Sequence, residues 1–265
     1  MYSKLSLSTQ LTSAGRTELK DLFVSPPFKV MTLPYQQKGL EAIQMSASPG
    51  LLAGDRLLME VYLAEGTTFS LRTQAYTRVQ SMNESEFAEQ ESRFILQPKS
   101  CFIYLPHPLV LHKDSAFKQR TVVEMGDESQ FLYGEIVTIG RVLNNERFMF
   151  REFSSYLRIV HQGVPLLSDR IKWGPHRIPL NVLSQMEDYS HQGTLVFVDL
   201  SMTLHSLKEK VAQLQTHYAD FKEGLLGISL LHKGGFIVRV TAYRADVIES
   251  LFAELAKQLK PSERD

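Results

Sequence analysis

Apolar and polar residues alternate along most of the first two thirds of the chain. Leu57, Met59, Val61 and Leu63 share one parity, Glu65-Gly66 interrupts, and Phe69 and Leu71 resume the apolar face. A period of two around a glycine-containing break predicts a strand–turn–strand hairpin. Asp55 has the parity of Leu57 to Leu63, and beyond Leu71 the same face becomes Thr73, Ala75 and Thr77. The core-facing side thus turns small and polar at one end, which suits a narrow wet space or a closely packed neighbour. Tyr2 to Thr12 alternates in the same way, and Leu19 to Val24 returns from a turn at Gly15-Arg16. Pro26-Pro27 cannot donate to a sheet ladder and should end or edge a strand. Further strands are predicted at Phe94–Leu96 and Cys101–Leu105, before Pro106-His107-Pro108 forces an extended break. Phe117–Met125 and Phe131–Arg141 alternate cleanly, with Glu135 on the side of Phe131, Tyr133, Val137 and Ile139. A turn at Leu143–Glu146 leads to a long strand, 148–160, and Gly163-Val-Pro opens another that ends near Trp173.

After Trp173 the period changes. Ile178–Met186 reads as a short helix and Thr194–Leu200 as a buried strand. Ser206-Leu-Lys-Glu209 is a capping-box pattern, with Ser206 at the cap. Leu207, Val211, Leu214, Tyr218 and Phe221 recur at helical spacing up to a stop at Gly224. Strands follow at Leu225–Leu231 and Phe236–Thr241. Ile248, Leu251, Leu255 and Leu259 give a last amphipathic helix, ended by Pro261. The pattern predicts a mainly β chain with two or three helices in its C-terminal third. Residues 1–190 form the β-rich part, and 191–265 an α/β portion packed on it as one structural unit.

Composition narrows the function classes. The 265 residues carry 29 basic and 29 acidic side chains, so there is no overall basic excess for nucleic acid and no polybasic membrane anchor. A single cysteine, Cys101, excludes an internal disulfide and fits a reducing compartment. Within an apolar strand it reads as a small buried hydrophobe. No apolar run approaches the length of a membrane span, and the start lacks a signal-peptide core. A soluble, cytoplasmic protein is expected.

No catalytic motif emerges. The sequence contains no glycine-rich phosphate loop and no Gly-x-Ser-x-Gly elbow. Its eight histidines form no metal-binding spacing, although His107 and His112 bracket one loop. Asp55 and Glu135 stand out, because a carboxylate of inward parity must find partners or water. They are open to two readings. They are structural groups that cap turns or pair with Arg120 and Arg141, or they are oxygen ligands along a passage for a divalent cation. Oxygen donors bind such a cation loosely enough to release it. A rival class is a hydrolase that uses the two as an acid–base pair, and a third is a plain interaction module.

Several stretches carry a resemblance. Ser48-Pro-Gly-Leu-Leu-Ala-Gly-Asp55 with Thr73-Gln-Ala-Tyr-Thr-Arg-Val79 is similar to a signature of the UreD/UreH family of urease accessory proteins. So are Tyr104-Leu-Pro-His-Pro-Leu109, Ala116-Phe-Lys-Gln-Arg-Thr-Val-Val-Glu124, Gly134-Glu-Ile-Val-Thr-Ile-Gly-Arg141 with Glu146-Arg-Phe148, and the ending Gly234-Gly-Phe-Ile-Val-Arg239. His107 departs from the family pattern, which commonly has another polar residue there. The resemblance implies an elongated β-superhelical stack. It also implies a non-enzymatic scaffold and metallochaperone with no tightly bound cofactor, through which nickel passes transiently. The implied partners are a UreF-type helical accessory protein, a UreG-type GTPase recruited through it, and apo-urease, with neither nucleic acid nor membrane. On this reading Asp55 and Glu135 are transient nickel ligands, and Thr73, Gln74 and Thr77 line the passage.

Overall fold

The computed structural model describes residues 1–33 and 38–259. In chain order it contains β1 (Tyr2–Leu11), β2 (Thr17–Val24), β3 (Phe28–Thr32), β4 (Leu40–Ser46), β5 (Arg56–Leu63), β6 (Thr68–Gln74) and β7 (Thr77–Val79). Next come β8 (Ala88–Leu96), β9 (Cys101–Leu105), β10 (Leu109–Leu111), β11 (Ala116–Met125), β12 (Gln130–Thr138), β13 (Glu152–His161) and β14 (Val164–Trp173). The last part holds β15 (His191–Asp199), α1 (Leu204–His217), β16 (Gly224–Leu230), β17 (Gly235–Ala242) and α2 (Ala245–Leu259).

The strands form two sheets stacked face to face. The first runs β14-β13-β11-β8-β5-β1-β2, and the second β16-β17-β15-β12-β9-β6-β4-β3, with β7 and β10 attached beside β12. Between β5 and β13 the chain alternates between the sheets, so each new strand lies parallel to the one laid down a coil earlier: β5, β8, β11 and β13 in one sheet, β6, β9 and β12 in the other. The result is a mainly β, solenoid-like stack. β15 pairs with β12, so the second sheet runs without interruption across residue 190.

This arrangement corrects the hairpin expected over residues 57–71. β5 and β6 do not pair with each other; the break at Glu65-Gly66 is a corner at which the chain changes sheets. Alternation survives such a corner because both strands still turn one side inward, so Leu63 and Phe69 are both fully buried. The interior is apolar along most of its length. Phe69, Phe102 and Phe131 stand in register on neighbouring strands, the first two stacked at 5.7 Å and the last two tilted at 5.8 Å. Phe94 meets Phe102 edge-on at 5.1 Å from the opposite sheet, a favoured aromatic geometry.

A second core lies outside the second sheet. There Leu207, Val211 and Leu214 of α1 and Ile248, Leu251, Phe252 and Leu255 of α2 cover Leu195, Phe197, Val238 and Val240. α2 comes close because Gly134 and Gly193 offer no side chain. A Cβ at Gly193 would stand 2.5 Å from Ile248 and 2.9 Å from Phe252. Among the described residues no helix lies on the outer face of the first sheet. Among the described residues no helix is long and apolar enough to cross a membrane.

Other expectations need correction. Residues 178–186 form a series of turns, not a helix. Leu180 and Met186 are buried while Ile178 and Leu183 are exposed, so burial falls at a spacing of six and not along the single stripe that stabilises a short helix. The cap of α1 is Thr203, whose side chain accepts the Ser206 N–H at 3.1 Å; Ser206 already lies inside the first turn. α1 ends at His217, and Gly224 instead opens β16. The strand expected from residue 148 begins at Glu152, since Phe148 has φ +56° and breaks the extended backbone. β4 was not anticipated, and β8 starts six residues before Phe94. Pro261 lies outside the described residues.

Candidate functional site

Inward positions are not all apolar. On the second sheet the rung Leu71–Tyr104–Tyr133–Val196 is followed, two residues on, by a polar rung. Gln44 pairs with Thr73, and Glu135 pairs with Thr194, which pairs with Arg239. On the first sheet Gln90, Gln119 and Ser155 stand side by side on β8, β11 and β13. The two rows face each other, because Ser155 and Gln119 both donate to the Glu135 carboxylate, Ser155 at 3.0 Å. A polar layer therefore crosses the sandwich at right angles to its strands. From β4 to β17 it spans five strand spacings, roughly 24 Å.

Glu135 is the centre of this layer. It is 8% exposed and accepts from Ser155, from Gln119 and from the Tyr133 hydroxyl at 3.2 Å. Burial disfavours the charged form and pushes the carboxyl up to about 7, while the Ser155 and Tyr133 hydrogen bonds pull the other way. The same burial raises the phenols of Tyr104 and Tyr133 above their ordinary range. Among the described residues no cation forms an ion pair with the Glu135 carboxylate. Arg239 is two strands away, held by Asp169 of β14 at 2.5 Å and by Thr194 at 3.4 Å. Glu135 thus gains or loses its proton near neutrality.

The layer reaches the surface beyond β17. Gln192, Arg239 and Thr241, all on its inward face, line a cleft of about 430 Å³ together with Trp173 and residues 184–187. The Thr241 hydroxyl there and the Gln44 carbonyl oxygen at the other end are buried without a partner. Buried polar atoms without partners mark places for water or an ion.

The other expected residues divide. Thr73 is buried on the layer, and its hydroxyl accepts the His107 N–H at 2.8 Å. Thr77 is half-buried on β7, where it pairs with Leu109 of β10. Gln74 is exposed on the opposite side of β6. Asp55 is buried at the start of β5, where it accepts from the Leu52 N–H at 2.8 Å and from the Met1 ammonium at 3.1 Å. It shares no partner with Glu135, and β8 separates β5 from β11, a lateral offset of roughly 10 Å. Neither carboxylate pairs with the two arginines expected. Arg120 stacks on Tyr156 and Arg141 pairs with Glu146. Among the described residues no group of three or more metal-ligating side chains converges. Gln44, Gln119, Ser155, Thr194, Arg239 and Asp169 were not anticipated. Their signal is inward parity in a polar residue, but it becomes a layer only once the register across coils is known.

Comparison with known proteins accounts for the quoted motifs. The family described as "UreD urease accessory protein" matches residues 2–264. A protein named urease accessory protein UreD, from Actinobacillus pleuropneumoniae serotype 5b (strain L20), is 56% identical over 264 residues, covering 98% of each chain. Another of that name, from Haemophilus influenzae (strain PittEE), is 51% identical over 269 residues, covering 98% of this chain and 99% of its own.

Proposed function

From the premise that the chain belongs to the UreD family of urease accessory proteins, we propose that it is a non-catalytic scaffold. It conducts nickel through the polar layer toward apo-urease while bound to UreF-type and UreG-type partners. The observation that carries this reading is Glu135: one ionisable carboxylate, buried among neutral donors, in a layer that opens at a cleft.

The chemistry suits transit. Ni(II) entering the layer exchanges water for oxygen atoms of Gln44, Thr73, Glu135 and Thr194. Each is a weaker ligand than histidine or cysteine, so the ion is passed on rather than kept. The Glu135 carboxyl releases its proton as the cation arrives and regains it as the cation leaves. Arg239, neutralised by Asp169, lines the cleft end without repelling the ion. Gln119 and Ser155 hold the carboxylate in one orientation. The lateral offset of Asp55 from Glu135 speaks against the acid–base hydrolase. Nucleotide chemistry belongs to the GTPase partner. Asp55 is the N-terminal anchor on this reading and contributes to transit only through the fold.

Complementation of a urease-positive strain lacking this chain tests the proposal. Wild type restores activity. Glu135→Ala restores about a tenth or less, since one of few ligands and its compensating charge are lost, and still co-purifies with the UreF-type partner. Full activity with Glu135→Ala, or loss of the partner with the fold intact, would overturn it.

A further inference from the structure

The net charge of zero conceals a segregated outer face on the first sheet. On its β1–β5–β8 half the charges are paired across strands: Lys4 with Glu60 at 2.7 Å, Arg56 with Glu89 at 3.0 Å, Arg93 with Glu91 at 2.9 Å. On the β11–β13–β14 half they are not. Lys118, Arg120, Arg158, Arg170 and Lys172 all point outward there, and none lies within ion-pair distance of a carboxylate among the described residues. The only acid of β14, Asp169, faces the other way and is held by Arg239.

Their arrangement is regular. Arg120, Tyr156 and Arg170 occupy one rung, Lys118, Ser154 and Lys172 the next. Both arginines lie over the Tyr156 ring, at 5.6 and 4.8 Å from its centre. The aromatic face thus fixes two guanidinium groups that would otherwise swing freely. Unpaired like charges so close repel one another and lower stability. Among the described residues no helix lies over them, and the loop before β8 reaches them through Phe87, whose ring lies 3.9 Å from the Lys118 ammonium.

We infer that the outer face of β11, β13 and β14 is a docking site for an acidic surface on a partner protein, in the form of a helix face bearing carboxylates. The dimensions select that occupant. Rung partners such as Arg120 and Arg170 lie two strand spacings apart, about 9.6 Å, and successive rungs lie about 6.7 Å apart, so the cations cover roughly 10 by 13 Å. Carboxylates one helical turn apart, about 5–6 Å, and two turns apart, about 11 Å, come within reach of these two spacings. A duplex nucleic acid needs a longer basic track, and Glu124 and Glu152, outward on the same strands, cut this one short. The inference does not depend on nickel passage.

Fluorescence anisotropy tests it, with the purified full chain and a labelled helical peptide carrying glutamate at i and i+4 repeats. The wild type binds, more weakly as salt is added. Arg120→Glu with Arg170→Glu weakens binding about tenfold or more, since a rim charge reversal also adds repulsion. Lys4→Glu with Arg93→Glu, on the paired half, changes it less than about twofold. Arg120→Gln with Arg170→Gln leaves the melting temperature unchanged or raises it. Failure of the peptide to bind at low salt would overturn the inference. So would equal weakening by both reversals, tighter binding of a 20-base-pair DNA duplex, or a melting temperature lowered by several degrees in the glutamine variant.

Discussion

At Glu135 burial and hydrogen bonding act in opposite directions, and burial wins. The sign of the pH dependence follows. Its carboxyl titrates near 4.5 when unfolded and at about 7 when folded, so within that window the native state holds a proton that the unfolded chain has lost. Stability therefore falls as pH rises from about 4.5 to 7 and is flat above. That interval corresponds to roughly 3 kcal/mol at 1.36 kcal/mol per pH unit. Glu135→Gln removes the carboxyl, so its urea midpoint should vary less between pH 5 and 8 and exceed the wild type at pH 8. A variant with the wild-type pH slope would assign that slope to another group. Asp55 behaves differently. It satisfies the Leu52 N–H and the chain terminus, and Asp55→Ala should cost about 1–3 kcal/mol at neutral pH by leaving a buried donor unmet. Denaturant unfolding with no loss would contradict that role. Parity alone identified both carboxylates as buried. It could not separate them, since the difference lies in neighbours contributed by Met1 and by Gln119 and Ser155, distant in sequence.

The elements were legible where a strand or helix carries its own periodicity and obscure where pairing decides. β11, β12 and α2 lie close to the bounds their alternation or helical spacing indicates. The corner between β5 and β6 was taken for a hairpin because both place successive apolar residues inward; only the coil partners β1, β8, β4 and β9 tell them apart. Residues 178–186 misled through apolar composition: Leu180 and Met186 are buried, but at a spacing of six that no single helix face provides. The seat of α2 behind the polar rung rests on Gly134 and Gly193, whose missing side chains were no signal in the sequence. Gly193→Val forces a side chain into Ile248 and Phe252 and should cost about 1–3 kcal/mol. Calorimetry will detect this as a lower melting temperature. An unchanged value would mean that α2 shifts without penalty. Thr203→Ala should cost about 1 kcal/mol through the lost cap.

For the whole molecule, the parallel coils stack like-placed residues from strand to strand. An apolar ladder of Phe69, Phe102 and Phe131 and a polar ladder around Glu135 therefore run side by side. The first holds the sheets together, and the second is the path proposed for nickel. A plug tests the path most directly. Thr194→Phe projects a ring into the layer beside Glu135 while leaving the outer faces untouched. The measurement is the nickel content of urease matured in cells carrying this variant, with assembly of the accessory complex checked on the same material. Nickel transit through the layer predicts an intact complex and urease with about a tenth or less of the wild-type metal, a hydrophobic plug being a barrier to a charged ion. Fully loaded urease alongside the plugged scaffold would contradict it.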